Sequence, residues 1–395
     1  MLERSAAHWP AVWAVFAGGL VAGAYIGKVP PALPVLRAEL GLTLVQSGFV
    51  ATMFNVVGGL AGMLAGVLAD RFGPKRLALA GLAILSAGGF LGAAASNFGL
   101  LLAARFFEGA GFILFTVAGA ALMTAAAPEP RARAKALSLW SAYMPAGGSL
   151  ALLAAPLVIA AVGWRGLWVA LAFVAAGALA LVWRYAVAPR TASVSSLHLA
   201  LESLAQPGSV ALALMFAFYV AQWTSVMIWL PTFVVDERGG SEATAALLTA
   251  LMVLINVPGN LAGGWLLARG VRRGLMTMAA FAIMALCAVG MLLDVLPNLP
   301  RFLLVLAFSS CAGVIPAAVF SGVPVHARSP RHVGTGNGLV MQSSQASQFV
   351  APILLAWMAS RFGGWGASLS AMLAFAACGG ACGFVLSVIE ARRGR

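Results

Sequence analysis

Three charged side chains lie inside stretches that are otherwise apolar. Lys28 follows nineteen uncharged residues, 9–27, and eight apolar residues separate it from Arg37. Arg105 and Glu108 stand three residues apart in RFFEGAG, 105–111. A charge held in hydrocarbon is costly and marks a site of function. Lysine and arginine can hold an anion. A carboxylate can carry a proton, or pair with an arginine three residues away on one helix face; for Glu108 both roles stand open. Two cations and one anion leave a positive excess, which a small anionic or electron-rich solute would compensate.

Neutral polar groups form a second set. QWTS places Gln222, Trp223 and Ser225 in one apolar run, and QSSQASQ places Gln342 and Gln345 in another. Tyr143, beside Trp140, is the aromatic candidate. With Lys28 and Arg105, these residues are the expected solute contacts. Hydrogen bonds between helices account for the amides equally well, and Asn55 and Asn256 read as such bonds. Snorkelling from a helix end competes for Lys28, but the apolar run continues through Leu36.

What positions these groups follows from composition. The 395 residues are 62% hydrophobic and 9% charged, with mean hydropathy +0.97. A soluble domain is about 25% charged, so the chain is expected to be an integral membrane protein. Its net charge of +13 lies in short loops, which removes the case for nucleic acid. Cys287, Cys311, Cys378 and Cys382 fall in apolar runs, so no disulfide framework or zinc site is expected. The N-terminal apolar run is too long for a signal peptide.

Spanning takes about 20 apolar residues. Twelve segments qualify: 10–36, 43–69, 77–96, 99–125, 136–161, 165–187, 208–235, 243–268, 275–296, 301–324, 335–360 and 364–389. Alternate loops hold five Lys/Arg on one side, against seventeen in the other loops and the termini. By the positive-inside rule both termini are cytoplasmic. At about 1.5 Å per residue, Lys28, Arg105 and Glu108 lie about 14, 12 and 16 Å from the outer helix ends, near mid-bilayer.

The connection 188–207 divides the chain six plus six, into halves 1–187 and 208–395. The halves read as a duplication. NVVGGLAG at 55–62 returns as NVPGNLAG at 256–263, Leu33-Pro34 returns as Leu230-Pro231, and Pro128 and Pro330 are placed alike. The Leu-Pro alignment sets Lys28 opposite Ser225. Duplicated halves place a solute at their interface near the midplane. The expected fold is all-α: twelve transmembrane helices in two pseudo-symmetric bundles.

GVLADRFGPKR, 66–76, lies in the loop after the second span and resembles the signature of the major facilitator superfamily. RFFEGAG resembles that family's helix-four motif, and GWRGLWVALAF, 163–173, is similar to the start of its sixth helix. GWLLARGVRR, 264–273, is a degenerate second copy of the loop motif, without its Asp. SAYMPAGG, 141–148, resembles the helix-five motif of exporters, with Met144 in place of a glycine. KVPPALPVLRAELGL, 28–42, is most similar to the bacterial cyanate/nitroimidazole-transporter-like branch. The resemblance implies alternating access. It also implies a latch built from Gly66, Asp70, Arg71, Gly73 and Arg76, with Asp70 meeting the N-terminus of helix eleven near Gly334-Thr335. A carboxylate there is favoured by about 0.3–1 kcal/mol. The glycines at 58, 62 and 66 are expected to let helices approach closely.

The expected function is secondary transport of a small anionic or polar solute across the bacterial inner membrane. No phosphate-binding loop and no cofactor or metal motif occurs in the sequence, so an ion or solute gradient supplies the energy. Glu108 is the candidate coupling residue for a proton, being the one carboxylate near the midplane. No histidine falls in the twelve segments, which excludes a histidine relay. The alternative is a proton-coupled exporter of drugs or metabolites; a non-transporting sensor ranks below both, and an enzyme is not expected. Expected partners are the solute, a coupled proton and membrane lipids, without nucleic acid, and the chain is expected to be monomeric.

Overall fold

The computed structural model describes residues 7–187, 202, 206–293, 295–329 and 333–393, and among them every regular element is helical. The helices are α1 Trp9–Gly27, α2 Val29–Leu40, α3 Leu44–Thr52, α4 Val56–Phe72, α5 Pro74–Ala93, α6 Phe98–Ala126, α7 Pro130–Ser141 and α8 Tyr143–Tyr185. They continue as α9 Pro207–Asp236, α10 Glu242–Ala268, α11 Arg273–Leu292, α12 Asn298–Ala312, α13 Val314–His326, α14 Val333–Phe362 and α15 Leu369–Arg393. Nine described helical stretches are long and apolar enough to cross a membrane. The expected twelve crossings agree with this pattern once its interruptions are followed.

The first crossing runs through α1 and α2. Its backbone stays helical at Lys28 (φ −67°, ψ −27°), whose N–H still donates to Ala24 O at 2.9 Å. Pro30 and Pro31 fall in the first turn of α2, where a missing N–H breaks nothing. The second crossing is divided by a 3-10 turn at Met53–Asn55. The tenth is α12 followed by α13. The thirty residues of α14 are long enough to span, but the amides of 342–348 keep them out of the nine.

The 43-residue run α8 makes two crossings. Gly163 takes φ 73°, ψ 171°, a conformation open to glycine, and breaks the helix. Before it, Gly147 lies against Leu20 and Gly148 against Gly27, so that arm runs with α1. After it, Trp164 bonds Glu39 while Trp168 packs on Lys28, so the second arm runs back. The halves before and after Gly163 therefore form a hairpin.

Contacts divide the chain into two compact units, Met1–Leu42 with Val56–Ser195, and Thr43–Asn55 with Ser196–Arg395. The first half of the second crossing thus groups with the second unit: Phe49 meets Phe349 with ring centroids 6.2 Å apart, and Gly48 lies against Trp229 and Ile353. The linker 188–207 lies almost wholly outside the described residues.

Small residues bring helices together inside each unit, as in membranes generally. In the first, a Cβ on Gly27 would strike Gly148, and Gly81 and Gly111 face each other's backbone. In the second, Gly259 and Gly263 touch Ser310 and Val314. Gly62, the duplicate of Gly263, has nothing within 4 Å among the described residues, so no close approach is seen there among them. Gly66 lies outside the described side chains.

Candidate functional site

In the first unit the structure brings Lys28, Arg105 and Glu108 together. Lys28 Nζ donates to Glu108 Oε1 at 2.7 Å, and both side chains are wholly buried. Arg105, 1% exposed, pairs with the other carboxylate oxygen and reaches Tyr25 O at 3.3 Å. The Lys28 ammonium lies 4.1 Å from the Tyr25 ring centroid and 4.2 Å from that of Trp168, within cation–π range. One carboxylate is therefore shared by two cations, one of them clasped between two aromatic rings.

Three glycines of α5 make the room. A Cβ on Gly88 would meet Glu108, on Gly89 the Tyr25 hydroxyl, and on Gly92 the Trp168 indole. The Tyr25 hydroxyl and the Trp168 N–H are buried and have no hydrogen-bond partner among the described residues. The sequence reading did not select Tyr25, Trp168 or these glycines. The available signal was SAGGFLG, 86–92, a small-residue face opposite large side chains.

The second unit holds neutral polar groups. Trp223 Nε1 donates to Ser309 Oγ at 2.9 Å, Ser309 Oγ donates to Met252 O at 2.6 Å, and Asn256 Nδ2 donates to Ser309 O at 2.8 Å. Asn260 donates in turn to Asn256 Oδ1 at 2.9 Å. The offset of 201 that relates Asn55 to Asn256 also relates Glu108 to Ser309. Where the first unit has a carboxylate, the second therefore has a hydroxyl. Asn55 is buried and its Oδ1 has no partner among the described residues, whereas Asn256 bonds Ser309 O and Asn260.

The remaining candidates are dispersed. Ser225 donates to Ala221 O of its own helix at 2.6 Å, and Gln222 Nε2 to Phe218 O at 3.4 Å, while Gln222 Oε1 has no partner among the described residues. Gln345 accepts from Gln348 at 3.0 Å, within α14. Gln342 Oε1 is buried without a partner among the described residues. The serines of that segment, and not its amides, join helices: Ser343 and Ser347 donate to Ala213 O and Ala217 O of α9 at 2.9 and 2.6 Å. Tyr143 stacks on Trp140 (centroids 4.4 Å apart) against Gly19 and Gly23, on another part of α1 from Lys28.

Of the loop motif, Arg71 and Arg76 are exposed and Gly73 takes φ 84° before Pro74, a conformation that suits glycine. The side chains of Gly66, Asp70 and Gly334 lie outside the described set. The expectation that no histidine sits in a span fails at one residue. Helix α13 runs on to His326, whose buried ring lies 3.2 Å from Glu390 Oε1, an oxygen shared with Arg273 at 2.9 Å.

The family model of the Major Facilitator Superfamily matches residues 15–352 and 212–394. The chain belongs to that superfamily and is a multi-pass membrane protein. It is 34% identical over 156 residues to a methylenomycin A resistance protein of Bacillus subtilis, covering 40% of this chain and 32% of that protein. It is 25% identical over 378 residues to a protein of Cupriavidus necator named a probable sulfoacetate transporter, covering 87% and 85%. The chain thus spans about a third of the first relative's length and most of the second's. Its fold matches a bacterial homolog of the human lysosomal transporter Spinster, solved inward-facing and unoccupied, with TM-score 0.75 and 17% identity over 96% of this chain and 94% of that one.

Proposed function

We propose that this chain is a secondary transporter of a small organic anion, working by alternating access between its duplicated halves, 1–187 and 208–395. The observation that carries the reading is the sign of the buried charge. In the first unit two buried cations, Lys28 and Arg105, share one buried carboxylate, that of Glu108. Buried positive charge attracts an anion and repels a cation. The full-length likeness to a protein named for sulfoacetate points the same way.

In this reading Lys28 and Arg105 give the first unit its selectivity for anions. Tyr143, Gln222, Trp223, Ser225, Gln342 and Gln345 supply neutral contacts. Glu108 carries the coupled proton. Both its oxygens are engaged, so protonation has to release a cation, which is then available to an anion; that exchange couples proton to solute. Gly66, Asp70, Arg71, Gly73 and Arg76 form the conformational latch. The excess of Lys/Arg in alternate loops puts both termini in the cytoplasm of a bacterial cell, with the chain a monomer in its inner membrane among its lipids.

The test is counterflow in proteoliposomes containing the full chain. Labelled sulfoacetate, a neutral sugar and a cationic dye are compared with and without a proton gradient. Anion uptake, reduced in Arg105→Gln and no longer raised by the gradient in Glu108→Gln, is the expected result. Movement of the dye alone would overturn the reading in favour of a drug exporter, the alternative supported by the resistance-protein match.

A further inference from the structure

Ion pairing alone does not account for the two aromatic rings at Lys28. Glu108 carries one negative charge and is shared by Lys28, at 2.7 Å, and by Arg105. Among these three buried side chains the formal charge is therefore one positive. Tyr25 and Trp168 meet that surplus with ring faces, whose negative quadrupole draws a cation without adding a formal charge. Their centroids lie 4.1 and 4.2 Å from the Lys28 ammonium. Both rings are held by groups other than Glu108. The hydroxyl end of Tyr25 lies against Gly89 and Ala172, and Trp168 lies against Gly92. Trp168 also packs edge-on to Trp164, with centroids 5.5 Å apart. Among the described residues, the titratable groups around the ammonium are Tyr25 of α1 and Arg105 and Glu108 of α6. There α5 contributes glycines, and the second arm of α8 contributes Trp168 and Ala172.

The two kinds of contact to Lys28 respond differently to a proton. Protonation of Glu108 removes the charge of the carboxylate and leaves the ring faces as they are. An ammonium left alone in so buried a place would lose its own charge instead. We infer that Tyr25 and Trp168 are positioning residues for the coupling step, which keep Lys28 seated as an ammonium while a proton is on Glu108. The inference rests on the reading of Glu108 as the proton carrier. The proton adds to a Glu108 oxygen, and the hydrogen bond from Lys28 Nζ to Oε1 gives way. The rings retain the charge, so the N–H that Glu108 gives up passes to the anionic solute. When the solute and the proton leave, that N–H returns to the carboxylate.

The test follows labelled sulfoacetate into proteoliposomes containing the full chain, with and without a proton gradient. Tyr25→Leu and Trp168→Leu each remove a ring face, whereas Tyr25→Phe and Trp168→Phe keep one. Each leucine variant is expected to lower gradient-driven uptake about tenfold or more. Each phenylalanine variant is expected to stay within about threefold of wild type. Melting temperatures in nanodiscs give a second readout that packing alone does not move. Glu108→Gln imitates the protonated carboxyl, and Trp168→Leu is expected to lower the melting temperature further in that background than in wild type. Tyr25→Leu serves for both measurements if Trp168→Leu yields no folded protein. No gradient-driven uptake by wild type defeats the reading of Glu108 and the inference with it. Three results overturn the inference alone and leave that reading standing: coupled uptake that survives in the leucine variants, an equal loss in the phenylalanine variants, or melting shifts that simply add.

Discussion

The two units bury polarity by different means at positions related by the duplication. The first buries an ion cluster: Glu108 shared by Lys28 and Arg105, with Tyr25 and Trp168 around the ammonium. The second has Ser225 opposite Lys28 and Ser309 opposite Glu108, and satisfies them with neutral hydrogen bonds from Trp223 and Asn256 and to the backbone. Ions demand mutual pairing, since each left alone carries a large desolvation cost. Hydroxyls need only a carbonyl or an N–H nearby. The first arrangement is therefore fragile to single changes and able to switch; the second is tolerant and fixed.

The largest effect should come from Glu108→Leu, which strands two buried cations. We expect a loss of about 3–5 kcal/mol, seen as a steep fall in melting temperature in nanodiscs. Replacing Lys28, Arg105 and Glu108 together by Met should recover most of that stability while abolishing transport. If the triple variant melts as low as the single one, ion pairing is not what makes the first unit fragile.

Ser309→Ala should cost about 1–3 kcal/mol, because it strands the indole N–H of Trp223. A loss as large as that of Glu108→Leu would erase the contrast between the units. Next come the duplicated glycines. Gly263→Ala forces a Cβ to 2.9 Å from Val314 and should cost about 1–3 kcal/mol. Gly62→Ala meets nothing within 4 Å among the described residues and should be neutral or stabilising by up to about 1 kcal/mol. Equal melting temperatures for the two variants would mean that the repeat packs symmetrically.

The smallest effect belongs to the end of the first unit, where Glu39 accepts from Arg165 and from Trp164 Nε1. Arg165 first, then Trp164, holds the Glu39 carboxyl below the usual carboxylate range. A lowered value means that the stabilisation is present at neutral pH. It starts to go once pH drops under the unfolded value of about 4.3 and is lost as pH falls through the folded one. Glu39 is half exposed, so Glu39→Gln should cost at most about 1 kcal/mol at pH 7. The gap in melting temperature from wild type should close on acidification. A gap that stays constant with pH would remove the carboxylate from the account. The second unit has Gly366 where the duplication places Arg165, and so lacks this pH-sensitive tie.

Much of the architecture was legible because lipid leaves the chain few choices. Apolar runs of about 20 residues have to become helices there, and their number, the duplication and the family motif all follow from linear pattern. The reversal at Gly163 was placed correctly as a loop between spans. The extent of α13 through His326 was missed by two residues, because an ionisable residue at a helix end reads as loop until its partner, Glu390, is seen. The close approach expected at Gly62 was read from spacing alone, and spacing does not say whether a neighbour is there.

The candidate site divides in the same way. Residue type and depth were enough to single out Lys28, Arg105 and Glu108, because charge in hydrocarbon is rare and costly. The sequence by itself determined the membrane class, the helices, the repeat and this excess of buried positive charge, all of which depend on local composition or on comparing one stretch with another. Only the tertiary structure decided that Lys28 meets Glu108 rather than standing apart from it. It also decided that glycines on α5 admit Tyr25 and Trp168 beside them, and that the amides of α14 stay within their own helix. Those outcomes depend on the rotation and distance of helices distant in sequence, which packing sets and hydropathy does not encode.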